Sequence, residues 1–175
     1  MRSIGAAEKA LEYFIARIND PAKKPFGEML NKHEIMLERV AKCRMEIDAA
    51  RLVVLDAAIK IDEGDAKSAK KEIAVAKVVV PDMLLKVIDR AIQAYGGAGV
   101  SQDTPLANMY AHGRTMRIVD GPDEVHTVQL GKAENKRGPA VLKKHEMQKA
   151  KNMELLKQYG LEKKDVLAWN TKSHL

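Results

Sequence analysis

The sequence predicts an all-α fold: an antiparallel, up-and-down four-helix bundle with a helical carboxy-terminal extension. Three observations carry that expectation. Hydrophobic residues make up 46% of the 175 residues but aromatics only 4%, so the core must be aliphatic. Ala, Leu, Met, Glu and Lys are abundant, which favours helices over sheets. Apolar residues recur three or four apart over long stretches, separated by short breaks rich in Gly or Pro.

Ile4, Ala7, Leu11, Phe14 and Ile18 set the first helix, which Asn19-Asp20-Pro21 stops. A loop with two prolines and Gly27 follows to about Asn31, and its lone aromatic, Phe26, is expected to plug something. Met36, Val40, Cys43, Ile47, Ala50, Val54 and Ile61 define a second helix with no internal Gly or Pro. Glu63-Gly64-Asp65 should send the chain back antiparallel. The third helix uses Ala69, Ile73, Ala76, Val80, Leu84, Val87, Ile88 and Ala91. Pro81 inside it is expected to kink it or remove a hydrogen bond. The β-branched run Val78-Val79-Val80 does not make a strand, because the helical period continues on both sides. This helix ends at Tyr95-Gly96-Gly97-Ala98-Gly99. A short helix opens at Pro105 with Thr104 as its N-cap. A bend at Val119 to Gly121 precedes another helix from Pro122 to about Arg137. Gly138-Pro139 breaks that one, and Gly160 ends the last. Two units follow: a bundle over residues 1–137 and a tail over 138–175.

The net charge of +6 is uneven. Residues 1–131 hold 19 basic and 19 acidic side chains, whereas 132–175 hold 11 and 5. Such a tail could meet a nucleic acid or an anionic membrane. It has few aromatics and no nucleic-acid motif, so a solvated helix is the expectation, with no nucleic-acid partner. No apolar run is long enough for a transmembrane segment. The single cysteine, Cys43, cannot form an internal disulfide and lies on an apolar helix face, where core packing outweighs nucleophilic chemistry. The five histidines lack metal-site spacing, so no metal is expected.

Two loops could carry chemistry. Gln93-Ala94-Tyr95-Gly96-Gly97-Ala98-Gly99 leaves backbone amides bare after a helix, where an anion can approach. A glycine C-cap explains the same residues, and spacing alone favours it. In Val119-Asp120-Gly121-Pro122-Asp123-Glu124, a carboxylate precedes a helix start, where the dipole favours its charged form, and Gly121 lets a flat ligand come close. Here too spacing alone favours the plainer role, Asp120 as a helix cap. Arg114 and Arg117 could bind an anion, although surface arginines are common.

Taken together the loops say more. Ala91 to Val100, then Pro105-Leu106, then Asp120-Gly121, preceded by Lys23-Lys24-Pro25-Phe26-Gly27, resemble the acyl-CoA dehydrogenases in order and spacing. In that family a bundle helix ends in Q-x-x-G-G-x-G, a carboxylate-Gly pair follows one short helix, and an R-x-x-F-G loop joins the first two bundle helices. Gly96 to Asp103 and Asp120 to His126 resemble the branch reading G-G-A-G-V-S-Q-D and D-G-P-D-E-V-H. The resemblance covers residues 1 to about 137.

The resemblance implies an FAD-dependent enzyme that converts a fatty acyl-CoA to its trans-2-enoyl product. Asp120 matches the base that removes the α-proton, where most members carry Glu. Gln93, Gly96 and Gly97 match the turn that meets the ADP half of a neighbouring subunit's flavin. Lys23 and Phe26 match the upstream loop, with Lys replacing Arg and so losing a two-pronged grip on pyrophosphate. Gly121, Pro122 and Glu124 match positions beside the flavin. An electron-transfer flavoprotein is the implied acceptor, and a homodimer or homotetramer the implied assembly. The family's full chain places a helical domain and a small β-domain before this bundle, so a fragment inactive by itself is expected. The alternative is a non-catalytic oligomerisation or binding module on the same scaffold. Ser173-His174-Leu175 resembles the S-K-L address and points to peroxisome ahead of mitochondrion.

Overall fold

The computed structural model describes residues 1–162. The Ser173-His174-Leu175 ending lies outside the described residues. Every regular element among them is helical: α1 (Arg2–Ile18), α2 (Glu34–Glu63), α3 (Lys70–Tyr95), α4 (Gly97–Val100), α5 (Leu106–Thr115), α6 (Asp123–Asn135) and α7 (Gly138–Gln158), plus one 3-10 turn at Leu30–Lys32. None of these helices is long and apolar enough to cross a membrane. The chain divides into two compact units between Gly131 and Lys132.

In the first unit, α1 buries every residue its period predicted: Ile4, Ala7, Leu11, Phe14 and Ile18. Chain direction follows from side-chain bonds. Arg17, at the end of α1, donates through Nε to the Ala94 carbonyl at the end of α3, 3.1 Å away, so α1 and α3 run parallel. Arg90, late in α3, grips Glu46, early in α2, through two bonds of 2.6 and 2.8 Å, so α2 and α3 run antiparallel. Gly113 of α5 faces Leu84 and Leu85, while Lys77 reaches the residues just after α5. Thus α5 descends α3 and completes an up-down-up-down set. The fourth place falls to this ten-residue helix rather than to α6, which buries no side chain.

α3 is the axis of the unit. Val80, Pro81, Met83, Leu84, Leu85, Val87, Ile88, Ala91 and Ala94 are all buried, because α1, α2 and α5 each claim a face. Pro81 does not interrupt the helix. Ile61, expected in the core, is instead exposed, and Ala57 is the last buried residue of α2. In the second unit α7 starts at Gly138-Pro139, as the break predicted, and buries no side chain.

Candidate functional site

The glycine turn is more ordered than its composition suggests. Gly96 ends α3 with φ +63°, a left-handed conformation that a Cβ would strain, and its amide bonds the Ile92 carbonyl at 3.0 Å. The chain then makes one helical turn, Gly97–Val100, where a loop was expected. The reason is local packing: Gly99 sits on α3 so closely that a Cβ would lie 2.6 Å from the Ile92 carbonyl oxygen. Of the amides expected to be bare, those of Gly96 and Gly99 are used, and those of Gly97 and Ala98 have no backbone partner among the described residues. A Cβ on Gly97 would meet nothing within 4 Å. Nothing inside the chain requires glycine there, which is what a closely approaching ligand would leave. Gln93, beside it, is exposed.

The loop between α1 and α2 lies at the same end of the bundle. Lys23 is exposed, with no ionic partner among the described residues. Phe26 is 75% exposed and meets the His33 ring edge-on with ring centres 5.7 Å apart, so it plugs nothing among the described residues. In the same loop, the buried Asn31 Oδ1 and His33 Nε2 have no hydrogen-bond partner among the described residues. Orphaned buried polar atoms cost stability unless something completes them. Arg17 ties this end together by its bond to Ala94 and by lying 5.5 Å from the Tyr95 ring centre. An exposed aromatic, two bare amides, an open glycine and two orphaned polar atoms fit a nucleotide-bearing cofactor laid across this end.

Asp120, Gly121, Pro122 and Glu124 lie far from that end. The loop carrying them is fastened to Lys77, about 25 Å of helix below Ala94. Asp120 is the only non-glycine among the described residues with positive φ, +56°, and Gly121 follows at +99°. Such backbone strain concentrates at functional sites. The Asp120 carboxylate is exposed and caps nothing among the described residues: α6 starts at Asp123, and within that range a side chain engages Asp120 only at its backbone oxygen. That removes the capping role which spacing alone had favoured. Arg117, a candidate anion binder, is already engaged: its Nε donates to Asp123 at 2.5 Å, and Asp82 lies 4.0 Å away. These carboxylates raise its pKa, the Asp123 hydrogen bond most.

Thr104 holds the start of α5 as expected: the amide of Leu106, the first helical residue, donates to its hydroxyl oxygen at 3.4 Å, while the hydroxyl itself donates to the Ala98 carbonyl at 3.2 Å. Cys43 is fully buried, and burial pushes its thiol pKa up, so it is core and not nucleophile.

Sequence reasoning missed Lys77, His126 and His33. Lys77 sits inside an apolar period with nothing to mark it. His126 closes a quoted motif, and only the fold brings its ring back to the loop. His33 gives no signal apart from its nearness to Phe26.

The family described as acyl-CoA dehydrogenase, C-terminal domain, matches residues 1–134. Acyl-CoA dehydrogenase family member 11 of Gallus gallus is 52% identical over 134 residues, which is 77% of this chain and 17% of that protein. A Mycobacterium abscessus protein assigned to the acyl-CoA dehydrogenases superposes with a TM-score of 0.75 at 40% identity, over 78% of this chain and 33% of that one. Butyryl-CoA dehydrogenase from Megasphaera elsdenii gives 0.68 at 31% identity, over 75% and 33%. The chain therefore spans about a sixth of that curated relative and a third of each solved chain.

Proposed function

The chain belongs to the acyl-CoA dehydrogenase family, whose carboxy-terminal domain it carries, and from that premise we propose that Asp120 is the base for α,β-dehydrogenation of a fatty acyl-CoA. The single observation behind this reading is the Asp120 conformation: a strained, non-glycine, left-handed residue whose carboxylate is left unengaged. FAD is the family's cofactor and would supply the hydride acceptor for the β-carbon.

This chain's own residues do the rest. Asp120 takes the α-proton onto a carboxylate oxygen. A thioester α-proton is weakly acidic, so the base must gain strength, which an acyl chain supplies by displacing water from the carboxylate. Gly121 and Pro122 would stand beside the flavin, next to the base. Lys23, Phe26, Gln93, Gly96 and Gly97 would hold the nucleotide half at the other end, with Glu124 beside the ring. One chain cannot put both ends on one flavin, because about 25 Å of α3 separates them. The reading therefore needs a homodimer or homotetramer, in which the glycine turn of one copy meets the flavin served by another's Asp120. An electron-transfer flavoprotein is the proposed acceptor; peroxide release would instead mark an oxidase. The basic extension from Gly138 stands outside this reading. Peroxisomal delivery is the proposed location, tested by a reporter carrying the Ser173-His174-Leu175 ending.

The test combines the chain with the family's amino-terminal domains, FAD and acyl-CoA without oxygen, and follows bleaching of the flavin. Asp120→Asn should bind acyl-CoA yet lose bleaching by several orders of magnitude. Equal bleaching by that variant overturns the assignment of the base. A specific observation favours a second reading, a non-catalytic assembly module: the broad exposed apolar face of α2, with Met45, Leu52 and Ile59. No bleaching with any acyl chain length would select it.

A further inference from the structure

The loop that carries Asp120 is held from two helices at once. Lys77 of α3 donates its ammonium Nζ to the Val119 carbonyl at 2.6 Å and to the Met116 carbonyl at 3.2 Å. From α6, His126 Nε2 lies 3.3 Å from the Asp120 carbonyl oxygen. A Cβ on Gly121 would sit 3.1 Å from that same nitrogen, so the imidazole packs directly under the turn. The loop is closed at its base by the Asp123 amide, which donates to the Arg117 carbonyl at 3.3 Å.

The two held carbonyls are the informative ones. A peptide unit is planar and tied to the chain at both Cα atoms, so a hydrogen bond that holds its oxygen restricts the swing of the whole plane. The Val119 oxygen belongs to the plane before the Asp120 Cα, and the Asp120 oxygen to the plane after it. Two fixed planes around one Cα define φ, ψ and the direction in which the Cβ leaves the chain. The left-handed region is unfavourable for a residue with a Cβ, so the loop would relax without both restraints.

We propose that Lys77 and His126 are positioning residues that together lock the left-handed turn and so aim the Asp120 carboxylate. Lys77 also satisfies carbonyls left open where the α5 turn unwinds, which couples the aim of the carboxylate to the α3 axis. His126 serves in the tautomer that carries its proton on Nε2, or as imidazolium; the other neutral tautomer would set a lone pair against the carbonyl. The proposal rests on the reading of Asp120 as the base, but the lock itself can be tested apart from it.

The experiment uses the full chain. Amide hydrogen exchange is followed at Asp123, whose bond closes the loop, and at Ile88, in the α3 core, as a control. Lys77→Met keeps the aliphatic stem and removes the donor; His126→Leu removes the ring nitrogen. Each should speed exchange at Asp123 by about tenfold or more and leave Ile88 unchanged. Lys77→Arg and His126→Gln, which restore a donor, should recover most of the protection. Unchanged exchange at Asp123 in both deletion variants overturns the proposal, as does failure of both conservative variants to recover it. In the reconstituted enzyme, the deletion variants should lower kcat on the order of a hundredfold with KM nearly constant, as expected for a misaimed base. Absence of bleaching by the unsubstituted protein would instead remove the role of Asp120 as base, while the exchange results still decide the lock. Normal kcat in both deletion variants, beside an active unsubstituted protein, overturns the proposed aim and leaves the dehydrogenase reading intact.

Discussion

Arg17 and Ala94 join the end of α1 to the last turn of α3: the guanidinium Nε donates to a backbone carbonyl 3.1 Å away, three residues before the bare amide of Gly97. The same guanidinium lies 5.5 Å from the Tyr95 ring centre. Arg17→Met should therefore destabilise the chain by about 1–2 kcal/mol, read from the urea midpoint at constant slope. A loss below a few tenths would show that the contact is not made in solution.

Gly97 and Gly99 should part company on substitution. Gly99→Ala presses a methyl onto the Ile92 backbone, with contacts of 2.6 and 2.9 Å, and should cost about 2 kcal/mol or more. Gly97→Ala meets open space and should leave thermal stability nearly unchanged. In the reconstituted enzyme Gly97→Ala should nevertheless weaken FAD binding by at least about tenfold, because the methyl would stand where the nucleotide approaches. Full flavin affinity in Gly97→Ala would remove the glycine turn from the proposed site.

Glu8 on α1 accepts hydrogen bonds from both Arg44 Nη atoms, at 2.8 and 2.7 Å, and from Arg51 at 2.6 Å. The Arg44 hydrogen bond is the largest cause holding its carboxyl below the ordinary 4.5, with burial opposing it. A depressed folded-state pKa means that this stabilisation is complete above 4.5 and disappears as pH falls through the folded value. Glu8→Gln should reduce stability at neutral pH by at most about 1 kcal/mol, since the pair is partly solvated, and should flatten the acid limb of the curve. An acid limb of unchanged steepness would show that other carboxylates govern it.

Met45, Leu52 and Ile59 of α2 stand at seven-residue intervals and are 63, 66 and 52% exposed. That spacing makes a stripe on the side of α2 away from Cys43, Ile47 and Ala50. A contiguous apolar stripe of this kind calls for a partner. The chain should sediment as a dimer or larger, and Leu52→Glu with Ile59→Glu should shift it to monomer with its helicity intact. A monomer at millimolar concentration before substitution would remove the self-association.

Much of the site was readable because its motifs are local. Gly96 needs left-handed backbone wherever α3 stops, and Asp120-Gly121-Pro122 bends the chain by its own chemistry. The helices were readable for the same reason: Ile4 to Ile18 and Val80 to Ala91 repeat with the helical period, and the core lies where the period puts it. There are exceptions. Ile61 is exposed although it keeps the helical period, and Gly97–Val100 coils because Gly99 has α3 to lean on.

By itself the sequence determined which long helices form, roughly where they stop, and which two loops hold the glycines and the carboxylate. Only the tertiary structure decided that these loops sit at opposite ends of α3, that Asp120 caps nothing, and that Lys77 and His126 hold its turn. The physical reason is range. Helical period, turn chemistry and caps are set by residues a few positions apart, whereas Lys77 meets Val119 only after the intervening chain has climbed α3 and come back down α5.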